Sequence, residues 1–155
     1  MSRRHTTLLN TLAGLLLISS ITAQAHQGAT GVVKERMDSM KAMGDAMKAM
    51  SAIVKGKQPF ELETFSRGSA TILEHNQHLL MMFPEGSATG KSEALPKIWQ
   101  QWPKFEQQAE TSRGEAQRLA DLAAQEADFK ALRKQFVLLG KSCKGCHTDF
   151  RKPKK

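Results

Sequence analysis

One helical stripe near the carboxyl end of the chain constrains the fold more than any other sequence feature. Steps of three and four residues place side chains on one face of an α-helix. The stripe predicts a helix from residue 126 or 127 to residue 151, with both cysteines of the chain on the face that packs into the core. Its members are Phe129, Leu132, Phe136, Leu139, Cys143, Cys146 and Phe150.

The rest of the chain predicts three further helices of the same kind and gives no strand signal. Gly56 suits the end of the first helix, and Pro103 suits the first position of the third. The predicted segments are residues 32–57, residues 61–81 and residues 103–125, with a short helical turn at residues 96–102.

Each of these three helices has its own inward seam at helical spacing. Four helices with short connections favour an all-α fold, an antiparallel left-handed four-helix bundle. The three seams are Arg36, Met40, Met43, Met47, Met50 and Val54; Leu62, Phe65, Ser69, Ile72, Asn76 and Leu79; and Phe105, Ala109, Ser112, Ala116, Leu119 and Ala123.

The stretch Cys143-Lys144-Gly145-Cys146-His147 is the signal for covalent attachment of a c-type haem. Each thiol can add across one haem vinyl group, and the adjacent imidazole can bind the iron as proximal ligand. The alternatives are a local disulfide, a thioredoxin-like redox pair and half of a zinc site. The chain has no third cysteine for zinc, and no strand precedes the motif. We therefore predict one haem c, attached through Cys143 and Cys146 and ligated by His147.

The first 25 residues resemble a secretory signal peptide. Arg3 and Arg4 precede an apolar stretch, and Ala23-Gln24-Ala25 fits the small-residue cleavage pattern. We expect cleavage after Ala25, which leaves residues 26–155 as one bundle domain in the periplasm. An uncleaved membrane anchor is the alternative, although the apolar stretch is short for a membrane span.

Charge points to the kind of partner. The sequence has 23 Lys and Arg residues against 15 Asp and Glu residues. A basic collar around a haem edge would steer an acidic redox partner, although the same lysines could simply aid solubility. Export and the absence of a recognition motif argue against nucleic acid, and no apolar face supports stable membrane insertion after cleavage. The collar consists of Lys134, Lys141, Lys144, Arg151, Lys152, Lys154 and Lys155.

His75 and His78 lie three residues apart, so they share one face of the second predicted helix. A metal site would need further ligands, and no carboxylate or cysteine is placed to complete one. We therefore predict that both are surface histidines.

Several stretches, taken together, are similar to one family of haem proteins. The haem motif close to the carboxyl end, the proline-containing loop and the Ile98-Trp99 pair make the match specific. Over residues 28–153 the chain resembles the class II c-type cytochromes, which include cytochrome c′ and the low-spin cytochrome c-556 type. This resemblance implies a four-helix bundle with covalently attached haem c. The matching stretches are Arg36 to Met40, Ile53 to Gly56, Phe83 to Ser87, Leu95 to Trp99, and Ser142 to His147 with Phe150-Arg151.

The resemblance also implies that the residue at position 40 distinguishes the two functions found in the family. In the cytochrome c′ branch this position carries an apolar, non-ligating side chain, and the five-coordinate iron binds gases such as nitric oxide. In the low-spin branch a methionine closes the sixth position. Met40 therefore implies a His/Met-ligated one-electron carrier that turns over no substrate, with Met37 and Met43 as rival ligands. A gas-binding protein in which Met40 merely packs, and a haem-free bundle with a Cys143–Cys146 disulfide, remain alternatives.

Two further roles follow from the resemblance alone. Arg36 would pair with a haem propionate, although a solvated arginine at the bundle end would give the same sequence. Thr89 matches a loop position that approaches the haem in cytochrome c′. Family members occur as monomers and as homodimers, and both states are open for this chain.

Overall fold

The computed structural model describes residues 28–153, and these residues form a bundle of four long helices. A short helix and a 3₁₀ turn (Leu80–Met82) lie in the connection between the second and third long helices. The predicted signal peptide, its cleavage site and Lys154 and Lys155 lie outside the described residues. The helices are α1 (Gly31–Val54), α2 (Leu62–Gln77), α3 (Lys97–Gln100), α4 (Trp102–Ala124) and α5 (Phe129–Phe150).

Between residues 28 and 153 the backbone forms no β-strand, and its one isolated β-bridge joins Ala94 to Arg151. None of the helices in this range is long and apolar enough to cross a membrane.

Two helix ends are set by single residues, Gly56 after α1 and Asp128 before α5. Past the end of α1, Gly56 adopts a φ of +68°, and its N–H donates to the Ile53 carbonyl at 2.9 Å. Glycine tolerates this left-handed conformation, so the helix ends there as predicted from the sequence. At the start of α5 the Asp128 carboxylate accepts a hydrogen bond of 2.8 Å from the Ala131 N–H. This is an N-cap that satisfies one of the helix's unpaired donors.

The second helix ends earlier than predicted. The sequence pattern predicts α2 through residue 81, but the helix stops at Gln77. After it, Leu79 N–H donates to Asn76 and Met82 N–H donates to Leu79, so the bonds span three residues and tighten the chain into 3₁₀ turns. The apolar spacing continues through this stretch, which is why the pattern alone does not reveal the change.

Two clusters of buried apolar residues form the core. The main cluster draws on all four long helices, and the loop-end cluster lies where the connection between α2 and α4 closes against α4 and the end of α5. Full burial of each large side chain contributes roughly 1.5–3 kcal/mol. The main cluster comprises Met50, Ile53, Phe65, Ile72, Ala116, Leu119, Ala123, Leu132, Phe136 and Leu139. The loop-end cluster comprises Leu79, Phe83, Ala94, Ile98, Phe105, Ala109 and Phe150.

The helices do not contact one another equally. α1 packs mainly on α2, α2 on α4, and α4 on α5, whereas α1 and α5 make few contacts with each other. The predicted seam of α4 is buried at every position. In α1 the predicted seam is only partly right, because Met40, Met43 and Met47 are half-buried while Ser39 and Ile53 are buried. The weak α1–α5 contact accounts for this exposure.

Candidate haem site

The two cysteines lie in the unbroken last helix, on the side that faces the bundle. Cys143 and Cys146 are free and half-buried. Cys143 packs against the main cluster, and Cys146 packs against the loop-end cluster. His147 follows Cys146 and lies four residues after Cys143, which places it beside the thiols at the exposed edge of the same side of the helix. The structure thus brings the three motif residues together on α5.

Small buried side chains on α4 face the cysteines. Ala109, Ser112 and Ala116 are buried, and Ser112 is within hydrogen-bonding reach of Cys143. Burial raises the pKa of the Cys143 thiol, against the opposing effect of hydrogen bonds from Ser112 and Ser142. Burial, followed by the charges of Cys143 and Asp149, raises the pKa of Cys146 to about 11. Thiols in these surroundings are protonated at neutral pH.

A polar contact fixes the last turn of α5 against α4. Lys104 Nζ lies 2.9 Å from Asp149 Oδ2, and Gln108 Nε2 donates to the same oxygen at 2.8 Å. The hydrogen bond from Lys104 is the main reason that the pKa of Asp149 is lowered. Because Asp149 lies three residues after Cys146, this contact orients the turn that carries the haem motif.

The methionines of α1 have different surroundings. Met40 packs against the loop-end cluster, which Cys146 also contacts. Met43 packs against the main cluster, and its sulfur lies 3.5 Å from Asn76 Nδ2, which donates to it. Met47 also packs against the main cluster, near Gly140 of α5. Met37 belongs to neither cluster.

Arg36 is buried, with only 4% of its surface exposed. Its Nη1 donates to Met82 O at 3.1 Å and to Ser87 Oγ at 3.2 Å. Its Nη2 donates to Ser87 O at 2.9 Å and to Ser92 Oγ at 2.8 Å. The guanidinium carbon also lies 4.4 Å from the centre of the Phe83 ring, a cation–π contact. The solvated-arginine alternative is therefore wrong, because this side chain clamps the connection between α2 and α4 onto α1.

The same connection is hydrogen-bonded to the end of α5. Leu95 N–H donates to Phe150 O at 2.9 Å, and Lys152 N–H donates to Glu93 O at 2.8 Å. Arg151 Nε donates to the Glu93 carboxylate at 2.7 Å. Ser87, Ser92 and Glu93 thus link the segment of α1 before Met40 to the segment of α5 after the haem motif. No sequence pattern predicted this linking role for the three residues, although an arginine in an apolar seam signals that it needs buried partners.

The remaining predicted positions lie away from the motif or differ from expectation. Thr89 is exposed in the loop. His78 is exposed as predicted, but His75 is half-buried, and its Nδ1 lies 3.0 Å from Ser39 Oγ. The surface prediction is wrong for His75 because Ser39 is buried on the neighbouring α1. Across residues 28–153 no group of three or more His, Cys, Asp or Glu side chains could hold a metal ion.

The chemistry of this donor set fits a covalently held haem. Two thiols at the spacing of one helical turn can form the thioethers, and His147 beside them can ligate iron. The α4 side chains nearest the thiols are small, and α1 makes few contacts with α5.

Comparisons with known proteins point to one family. The family described as Cytochrome C' matches residues 31–151. A cytochrome c' of Pararhodospirillum photometricum is 40% identical over 77% of this chain and 94% of its own length. A cytochrome c-556 of Agrobacterium tumefaciens (strain II Chrys) is 33% identical over 78% of this chain and 97% of its own length. The solved cytochrome c prime from Shewanella frigidimarina superposes with a TM-score of 0.75 at 30% identity, over 79% of this chain and 94% of that chain.

These similarities extend over all four long helices rather than the haem motif alone. Members of the family carry covalently attached haem c, and the sequence holds two cysteines, Cys143 and Cys146, for its attachment. The predicted cofactor and the four-helix bundle are thereby confirmed. The chain belongs to the cytochrome c′ family of class II c-type cytochromes.

Proposed function

We propose that the protein is an exported one-electron carrier with a low-spin haem c. His147 is the proximal ligand and Met40 the distal one. The observation that carries this proposal is the environment of Met40. Of the methionines in α1, it is the one that packs on the same apolar cluster as Cys146. Its neighbour Met43 instead accepts a hydrogen bond from Asn76.

The haem supplies a one-electron change between ferric and ferrous iron. The chain's own residues keep its surroundings constant during that change. When haem is bound, the thioether of Met40 on α1 and the imidazole of His147 on α5 would both ligate the iron, and His/Met ligation raises the reduction potential. Because neither ligand has to leave, electron transfer needs little rearrangement of the bundle. This fits a carrier that turns over no substrate.

The surroundings of Arg36 support a role beside the haem. Its guanidinium is buried, and its four hydrogen-bond acceptors are neutral oxygens. A buried charge is costly without a counter-charge. The carboxylate of a haem propionate would supply that charge. The four hydrogen bonds use the donors on Nη1 and Nη2, so the Nε–H of Arg36 is the donor available to the propionate.

The proposed location is the periplasm, after removal of residues 1–25. The mature domain would then be residues 26–155, and its partner would be another redox protein. Covalent haem attachment is consistent with an exported chain, in which cysteines would otherwise form disulfides.

A second candidate function is a five-coordinate, gas-binding protein. The relative that is 40% identical carries the name cytochrome c'. In that case Met40 would pack against the loop-end cluster as an apolar side chain, without a bond to iron. Carbon monoxide and nitric oxide would then bind the open position.

Replacement of Met40 separates the two functions. Met40→Ala should convert a low-spin haem into a high-spin form that binds carbon monoxide, with a lower reduction potential because the thioether is lost. Absorption spectra of the ferric and ferrous variant, with and without carbon monoxide, measure this directly. Met43→Ala is the matched control and should stay low-spin. If the Met40 variant has the same spectrum as the wild type, the distal assignment is wrong.

A further inference from the structure

We propose that the outer face of α5 is the surface on which an acidic electron-transfer protein docks. This inference rests on the proposed function and deepens it by locating the contact. The outer face is the exposed stripe opposite the cysteines, and it has a small apolar centre inside a ring of lysines. It consists of Lys130, Lys134, Val137, Leu138, Lys141 and Lys144.

The geometry of α5 places these residues together. From Lys130 the positions advance by four, three, four and three residues to Lys144, the spacing of one helix face. The inward stripe that contains Cys143 and Cys146 has the same spacing but is offset around the helix. The two stripes therefore lie on opposite sides, and each residue of the outer face is exposed.

The charges on this face are not neutralised by the rest of the described chain. Several cations on other helices have acidic partners, as in the Lys41–Asp45 and Arg118–Glu115 pairs. None of the four lysines of the outer face forms an ion pair with any residue from 28 to 153. Within α5 there is no Asp or Glu before Asp149, and Lys104 pairs with that carboxylate. The face thus presents positive potential that an acidic surface would complement.

Two cations of the basic collar predicted from the sequence are engaged in contacts within the protein. Arg151 pairs with Glu93, and Lys152 Nζ donates to Ser92 O at 2.8 Å. These two cations hold the loop and are less available to a partner. The other collar lysines that the structure describes, Lys134, Lys141 and Lys144, form no ion pair and lie on the outer face of α5.

Two large apolar side chains are exposed in the middle of these lysines. Val137 is 43% exposed and Leu138 is 39% exposed. They are adjacent in sequence, and Lys134 and Lys141 lie one helical turn away on either side. A small apolar centre with a charged rim is the composition of transient protein interfaces, and redox encounters lie at the small end of their size range.

The outer face reaches the haem motif. Lys144 and Gly145 lie between the two cysteines, and a Cβ added at Gly145 would meet no atom within 4 Å. A partner on this face would therefore approach the backbone of the motif without obstruction from residues 28–153. An α-helix with side chains is about 10–12 Å across, so the partner would lie about one helix width from the thioether sulfurs.

The test uses the full haem-loaded protein and a reduced acidic flavodoxin as the probe. Stopped-flow spectroscopy would measure the second-order rate of haem reduction at low and high salt. Lys134→Gln with Lys141→Gln should lower the rate about three- to tenfold at low salt, because encounter loses its electrostatic steering. The difference should shrink at high salt. Lys48→Gln on α1 with Lys55→Gln just past its end makes the same change in net charge and should alter the rate by less than about 1.5-fold.

A third variant tests the apolar centre. Leu138→Ser keeps every charge, so it should slow reduction at both salt concentrations. Equal effects of the two lysine pairs, or no effect of the α5 pair, would overturn the proposal in favour of a general charge effect. If Leu138→Ser is reduced at the wild-type rate, the apolar centre is not part of the docking surface.

All variants should keep the wild-type absorption spectrum. A high-spin spectrum of the wild-type protein would contradict the proposed function. The comparison between the two lysine pairs would still test the docking surface.

Discussion

At the scale of single residues, Arg36 shows how one buried cation can organise a site. Its two terminal nitrogens bind the Met82 carbonyl, both oxygens of Ser87 and the Ser92 hydroxyl. Burial lowers the pKa of Arg36 from its ordinary value, because the charged form loses solvation. The hydrogen bonds offset that loss and fix the loop one helical turn before Met40 on α1.

Arg36→Met should therefore destabilise the protein by about 2–4 kcal/mol, since it leaves several buried oxygens without donors. Urea denaturation of the haem-loaded variant would measure this free energy. Arg118→Met is the control, because Arg118 is exposed and pairs with Glu115 on the helix surface, and it should cost less than about 1 kcal/mol. Equal losses for the two variants would show that the hydrogen bonds of Arg36 contribute little.

The sequence predicts the candidate haem-binding residues, but it does not predict the contacts that hold the surrounding loop in place. Cys143, Cys146 and His147 follow from a motif with fixed spacing. The partners of Arg36 lie 46 to 56 positions away in an irregular loop. No periodic pattern links such distant positions, so only the folded chain reveals them.

At the scale of helices, α5 combines a core element with the haem attachment site. Its inward residues Leu132 and Leu139 are fully buried, and the same stripe leads to the cysteines. A fixed helix start therefore helps to set the register of the motif. That start depends on the Asp128 carboxylate, which caps the helix through the Ala131 N–H.

Asp128→Ala should cost about 1 kcal/mol of stability, because the capping acceptor is lost. Asp128→Asn keeps an acceptor of similar capping strength and should lie within about 0.5 kcal/mol of the wild type. Thermal or urea unfolding monitored by far-ultraviolet circular dichroism would compare them. A loss of the same size in both variants would mean that charge, rather than capping, accounts for the effect.

Helical periodicity predicted the four long helices because each buries one continuous face. Gly56 marked the end of α1 to within a few residues, at Val54 rather than residue 57, but the pattern extended α2 too far. The residues after Gln77 keep apolar spacing while their hydrogen bonds change to the 3₁₀ pattern. Spacing alone does not distinguish these two kinds of turn.

At the scale of the whole molecule, the four long helices do not pack equally against one another. α1 and α5 make few contacts with each other, although each carries a proposed iron ligand. A haem attached to α5 and ligated from α1 would join the two helices and add apolar contact area. The bundle architecture could be predicted from sequence, but this uneven packing could not, because seam patterns do not give helix separations.

Removal of both anchors tests this contribution. Cys143→Ala with Cys146→Ala should leave a haem that acidified organic solvent extracts, and should lower stability by at least about 2 kcal/mol once haem is lost. Extraction and urea unfolding measure the two effects. Cys143→Ala alone is the control and should retain haem through the remaining thioether. Haem that resists extraction from the double variant would contradict attachment at these cysteines.

The absorption spectrum of the wild-type protein, recorded ferric and then ferrous with carbon monoxide, tests whether His147 and Met40 both ligate the haem iron. Bonds from both His147 and Met40 to iron predict a low-spin ferric spectrum with a far-red sulfur-to-iron band, and a ferrous spectrum that carbon monoxide leaves unchanged. A high-spin ferric spectrum, together with a prompt shift on addition of carbon monoxide, would contradict it.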